Sequence, residues 1–109
     1  MNWTLIESAD QLDSIKNKTG NSIIFKHSTR CSISMMAKKR FELEWDVLPE
    51  DVTPYFLDLI KHRELSNKIA ADFHVHHQSP QMLLIKDGEC ILDQSHGEIS
   101  VEEAVSVLN

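Results

Sequence analysis

Only two of the 109 residues are cysteine, at positions 31 and 90. Cations are also short, with 11 Lys and Arg against 17 Asp and Glu and a formal net charge of -6. A protein that grips phosphate backbones needs a basic face, so this balance argues against nucleic acid as a partner. No apolar run approaches the roughly 20 residues that span a bilayer. The opening MNWTLIESADQ lacks the basic start and apolar centre of a signal peptide. The expectation is a cytoplasmic protein with no membrane partner. Repeats, linkers and low-complexity tracts are missing, and 41% hydrophobic content over this length suits a single domain, 1–109, with a modest core. Cytoplasmic thiols are held reduced, so a permanent disulfide is not the expected use of the two cysteines. The ordinary use of a lone cysteine is as a small buried hydrophobe.

The residues that are present alternate between two periodicities. Trp3 to Ile6 reads as a short strand, and Ser8-Ala9-Asp10-Gln11 has the Ser-x-x-Gln pattern of a capped helix start, with the helix running to about Asn17. Ser22 to Lys26 is an apolar, β-branched strand. Ile33, Met36, Ala37, Phe41, Trp45 and Leu48 recur at spacings of three and four, predicting one buried helix face from Cys31 to just before Pro49 and placing the methionines in the core. Pro54 to Ile60 reads as a strand, and Leu65, Ile69, Ala70 and Phe73 mark a third helix. Gln81 to Lys86 and Cys90 to Asp93 form two strands around the hairpin signal Asp87-Gly88-Glu89. Ser100-Val101-Glu102-Glu103 is a capping box opening a last amphipathic helix. The order β-α-β-α-β-α-β-β-α predicts an α/β protein: a three-layer, thioredoxin-like arrangement with a mixed central sheet and helices on both faces.

In that order Cys31 falls at the first turn of a helix, where unpaired backbone N–H groups carry about half a positive charge. Such settings lower a thiol pKa from ~8.5 to between roughly 3.5 and 7.5. Between Ser14 and Phe41 there is no Asp or Glu, whereas Lys16, Lys18, Lys26, Arg30, Lys38, Lys39 and Arg40 all occur. This asymmetry can support a thiolate or attract an anionic thiol; solvated lysines on a helix surface are the plain alternative. The position three residues after Cys31, where a dithiol motif has its second cysteine, is Ser34. Cys31 can therefore attack a disulfide and hold a mixed disulfide, with no adjacent thiol to resolve it. Cys90, about six residues beyond the start of its hairpin, lies close to 20 Å away at ~3.3 Å per residue. A disulfide needs Cα atoms within about 7 Å, so Cys90 is read as structural.

The chain resembles, over almost its whole length, the monothiol bacilliredoxin family of thioredoxin-like proteins, found in bacteria that use bacillithiol as their small thiol. The resemblance rests on Trp3, on Ile24-Phe25-Lys26-His27-Ser28-Thr29-Arg30-Cys31 with Ile33-Ser34, and on His77-Gln78-Ser79-Pro80-Gln81. It implies that Cys31 is the nucleophile that takes bacillithiol from protein mixed disulfides and that Pro80 is a cis-proline facing it. It further implies that Ser34, Arg30, Lys26 and Thr29 support the thiolate, and that His77, Ser79, Pro80, Gln81 and Gly97 form the substrate rim. On this reading the partners are S-thiolated client proteins and a low-molecular-weight thiol, bacillithiol acting as co-substrate with no bound cofactor or metal, and the chain works as a monomer. Two positions depart from the family pattern: Ser32 stands where Pro occurs in several relatives, and Gln78 where Glu is commoner.

Alternatives stay open at this stage. A proline heading a strand is also a tolerated edge position, and Gly97 is also a turn glycine. His74, His76 and His77 suggest a metal site, although three histidines in a polar loop are more often solvated; His27 and His77 are also candidates to tune the Cys31 proton. A non-catalytic adaptor of the same fold, with an unreactive Cys31 and a docking segment at 74 to 81, is the competing function.

Overall fold

A computed structural model describes residues 2–28 and 31–108. The elements run β1 (Thr4–Leu5), α1 (Ala9–Asn17), β2 (Asn21–His27), α2 (Ser32–Glu44), a 3-10 turn (Trp45–Val47), β3 (Thr53–Asp58), α3 (Arg63–Phe73), β4 (Gln81–Lys86), β5 (Glu89–Ser95), a second 3-10 turn (His96–Glu98) and α4 (Val101–Leu108). They build one five-stranded sheet in the order β1-β3-β2-β4-β5. β1, β3 and β2 are parallel, whereas β4 runs antiparallel to both β2 and β5. This is the expected mixed sheet with the hairpin at one edge.

Alternation along β2 divides the core. Ile23 and Phe25 pack with Ala37, Phe41, Met82 and Ala104 on the α2/α4 face. Ile24 packs with Leu12, Ile15, Ile69 and Leu83 on the α1/α3 face. Both faces of the central strands are covered, which explains their near-continuous apolar sequence. The first strand is only two residues long because Trp3 turns inward, its ring 5.7 Å from Phe41, 5.8 Å from Phe25 and 5.8 Å from Phe56.

Turn chemistry closes the elements. The hairpin is tighter than expected, with Asp87 (φ 51) and Gly88 (φ 85) alone between the strands and Glu89 already in β5. A Cβ on Gly88 would sit 2.1 Å from the Lys16 carbonyl oxygen, so only glycine fits against the end of α1. β3 stops at Asp58 rather than Ile60, because the Asp58 carboxylate accepts the N–H groups of Ile60 (3.1 Å) and Lys61 (3.3 Å) and turns the chain. The α1 capping box has both halves. At α4 it has one: Ser100 Oγ accepts from Glu103 N, while the Glu103 carboxylate is drawn to Gln94 Nε2 instead.

The largest correction concerns α2. Ala37, Phe41 and Leu48 are buried as expected, but Ile33 (57% exposed) and Met36 (71% exposed) face outward. The buried residue of the first turn is Ser34, whose polarity hides the phase of the helix from a hydrophobic pattern. The helix also tightens into a 3-10 turn at Trp45 before Pro49, which still delivers Leu48 to the core.

Candidate active site

Cys31 is the N-cap of α2, in extended conformation (φ -108, ψ 121), so its side chain lies at the open end of the helix. Its N–H donates to Ser28 O at 3.1 Å, and its own C=O starts the helix by accepting from Met35 N at 3.1 Å. The sulfur is partly exposed. The backbone N–H groups of Ser34 and Ile33 in the first turn hold the thiol below its ordinary pKa, with a smaller contribution from the Ser34 hydroxyl. That hydroxyl is buried and has no hydrogen-bond partner among the described residues.

The cations expected to support the thiolate do not do so among the described residues. Lys26 follows Ile24 onto the α1/α3 face, where its side chain is 0% exposed. Its ammonium lies 3.4 Å from His77 Nδ1 and 3.5 Å from the Ser66 carbonyl oxygen, and burial pushes its pKa down to about 8. Lys38 pairs with Glu42 at 3.0 Å, Lys18 reaches Thr53 Oγ1 at 2.9 Å, and Arg40 donates to Ile99 O at 3.2 Å. Neighbours in sequence are thus spread over three surfaces. Thr29 and Arg30 lie outside the described residues.

The Ser79-Pro80 peptide is cis. The β2–β4 register pairs Lys26 with Gln81, which sets this peptide beside the end of the strand that leads to Cys31. Pro80 is buried, and its carbonyl accepts from His96 N at 3.1 Å. That bond draws the 96–98 turn, including the exposed Gly97, to the same rim, where it also packs against α2. Ser79 is half-buried, and neither its hydroxyl nor its backbone groups find a partner among the described residues. An extended ligand strand pairs with backbone groups left in this state.

Gln81 supports the rim from below, whereas His77 stays exposed beside it. Gln81 is fully buried, donating to His76 O at 2.9 Å and accepting from Gln78 N at 3.4 Å. His77 Nδ1 lies 3.2 Å from Ser66 Oγ, and burial together with the Lys26 and Arg63 charges keeps the ring below its ordinary pKa. His74 caps α3 in left-handed conformation and His76 is exposed. No group of three or more His, Cys, Asp or Glu among the described residues is arranged to hold a metal.

His27 is buried at the end of β2, its ring 5.5 Å from that of Phe56. Burial and the Lys38 charge lower its pKa against the weaker pull of the Ser34 carbonyl. Beside it lies a cavity of about 370 Å³ lined by Met35, Lys38, Lys39, Glu42 and Phe56, which the hydrophobic pattern did not disclose. The signal for it was the exposed spacing Cys31, Met35, Lys38, Glu42.

Cys90 sits at the opposite end of the sheet. It pairs with Ile85, which pairs with Ser22 at the start of β2. Burial first, then the Asp93 charge, pushes its thiol up to about 11, and its S–H donates to Leu92 O at 3.4 Å.

The fold recurs in solved structures. A thioredoxin-fold protein described as a candidate oxidoreductase is 28% identical, with a TM-score of 0.83 over 96% of this chain and 92% of that one. Thioredoxin from Malassezia sympodialis (17% identical, TM-score 0.76, 98% and 89% covered) and thioredoxin from Trypanosoma brucei brucei (11%, 0.75, 98% and 88%) share the same arrangement. The sequence model described as Monothiol bacilliredoxin BrxC matches residues 4–104, a span that includes the helix-capping cysteine, the serine three residues after it and the cis-proline. The chain belongs to the monothiol bacilliredoxin family.

Proposed function

We propose that the protein is a monothiol thiol–disulfide oxidoreductase that removes a low-molecular-weight thiol, bacillithiol, from protein mixed disulfides. The observation that carries this reading is a partly exposed sulfur at the N-cap of α2, over the free N–H groups of the first turn, with a buried Ser34 hydroxyl, unpartnered among the described residues, three residues on. Family membership supports the same thiol redox role.

The Cys31 thiolate attacks the small-thiol sulfur of the mixed disulfide. A new S–S bond forms to Cys31, the old one breaks, and the client leaves as a thiolate that takes a proton from water. A second small thiol, as thiolate, then attacks the adduct, freeing Cys31 and carrying away a symmetrical disulfide. Ser79 offers its backbone groups to the client as an added strand edge, with Pro80 packed beside the sulfur. Ile33 and Met36 give the client an apolar margin around the nucleophile.

Mass spectrometry after exposure to oxidised bacillithiol tests this. One dithiothreitol-reversible adduct on Cys31 is expected, and absence of any adduct overturns the reading. Glutathione and coenzyme A disulfides run in parallel report whether bacillithiol is the preferred partner.

A further inference from the structure

Cys31, Met35, Lys38 and Glu42 follow one another at intervals of four, three and four, so they form one stripe down α2. The cavity beside His27 lies along this stripe, beginning one turn below the sulfur. Lys38 is about 10 Å from Cys31 along the helix axis at ~1.5 Å per residue, within the span of a small thiol joined to the cysteine. Phe56 and Met35 give the cavity an apolar floor. The Lys38 ammonium is held 5.4 Å above the Phe56 ring and 5.9 Å from the Trp3 ring. Glu42 is already occupied by Trp3 Nε1 (2.7 Å) and Lys38 (3.0 Å), so two ammonium groups face one engaged carboxylate. His27, 5% exposed, keeps Nδ1 buried without a partner among the described residues at the edge of this cavity. A buried ring nitrogen in that state is unusual.

We infer that this groove is the recognition subsite for the small thiol carried on Cys31, and that it selects an anionic one, its carboxylate toward Lys38 and Lys39. The inference rests on the exchange reaction proposed above and adds the ligand's chemistry and place. The client protein docks on the other side, at Ser79, so that both halves of the mixed disulfide have a seat.

Three symmetrical disulfides probe the groove: 3,3′-dithiodipropionate (anionic), 2-hydroxyethyl disulfide (neutral) and cystamine (cationic). The readout is the rate constant for adduct formation at Cys31, taken as the anionic-to-neutral and anionic-to-cationic ratios, which are compared between variants so that intrinsic reactivities cancel. In Lys39→Gln and in Lys38→Gln the anionic-to-cationic ratio should fall about fivefold from wild type, and salt should compress the wild-type preference. Lys86→Gln, at the far end of β4, should leave the ratio alone. Lys39 is exposed, so its variant remains informative even where loss of the Lys38 contacts disturbs folding. Adducts that form at ratios unchanged in both variants overturn the subsite and leave the exchange reaction standing. No adduct with any of the three removes the exchange reaction and the subsite with it.

Discussion

The sulfur of Cys31 owes its acidity to donors one turn into its own helix, and this makes the effect local and separable. Ser34→Ala removes the hydroxyl and keeps the N–H, so the alkylation midpoint should move upward and the rate at pH 7 fall roughly twofold to fivefold, read from a pH series with iodoacetamide. Wild type should titrate below a free thiol; a midpoint at or above ~8.5 would favour an adaptor with an inert cysteine. Lys26 carries a different pH signature. Its folded pKa, about 8, is below its unfolded value, so between the two the unfolded chain binds more protons and stability rises with pH. Below pH 8 both states are protonated and the full cost of burying the charge, up to about 3 kcal/mol, is present. Lys26→Met should therefore be most stabilising relative to wild type at pH 7 and lose that advantage progressively toward pH 10.5, as measured by urea midpoints.

Among the elements, the segment 76–78 between α3 and β4 is held by buried polar side chains from two paired strands, Gln81 and Lys26. Gln81→Leu leaves the His76 carbonyl and the Gln78 N–H unpaired, with an expected loss of about 1–3 kcal/mol and faster amide exchange in 76–79. At the hairpin, Gly88→Ala forces a methyl group into the Lys16 carbonyl at positive φ, and denaturant unfolding should show a loss of about 2 kcal/mol or more. The order of these elements was legible in the sequence, because strands and helices here differ sharply in period and their boundaries carry caps and turn residues. The phase of α2 was not. Ser34 takes the buried position of the first turn, so Ile33 and Met36 matched the apolar spacing while lying outside it. Lys26 misled for a related reason: at the end of an apolar run a lysine ordinarily reaches solvent, whereas α3 closes over this one.

On the scale of the whole molecule, the two cysteines mark opposite ends of the sheet. From Ser22, the partner of the strand residue paired with Cys90, to His27 at the end of β2 is about 16 Å at ~3.3 Å per residue, beyond disulfide reach without unfolding. Cys90→Ser should therefore keep turnover with a mixed-disulfide substrate nearly intact, and a fall of about tenfold would mean that Cys90 resolves the adduct after all. This separation was foreseeable from topology alone, whereas the cis-proline was implied by the family resemblance. The cation cluster was not resolvable that way, because a run of like charges along the chain says nothing about which face each residue meets once strand alternation and helix phase divide them. No helix among the described residues is long and apolar enough to cross a membrane.

The distance between the two sulfurs also sets what kind of electron chemistry the molecule can report. On the exchange proposed above, with Cys31 as the exchanging sulfur and Cys90 out of its reach, the protein has no two-electron midpoint potential of its own, and its oxidation state follows the ratio of free to oxidised small thiol around it. Equilibrated against buffers of graded ratio, it should titrate as an indicator of that pool, its midpoint ratio unchanged by total thiol concentration, whereas an internal disulfide's depends on the square of the free thiol and would shift.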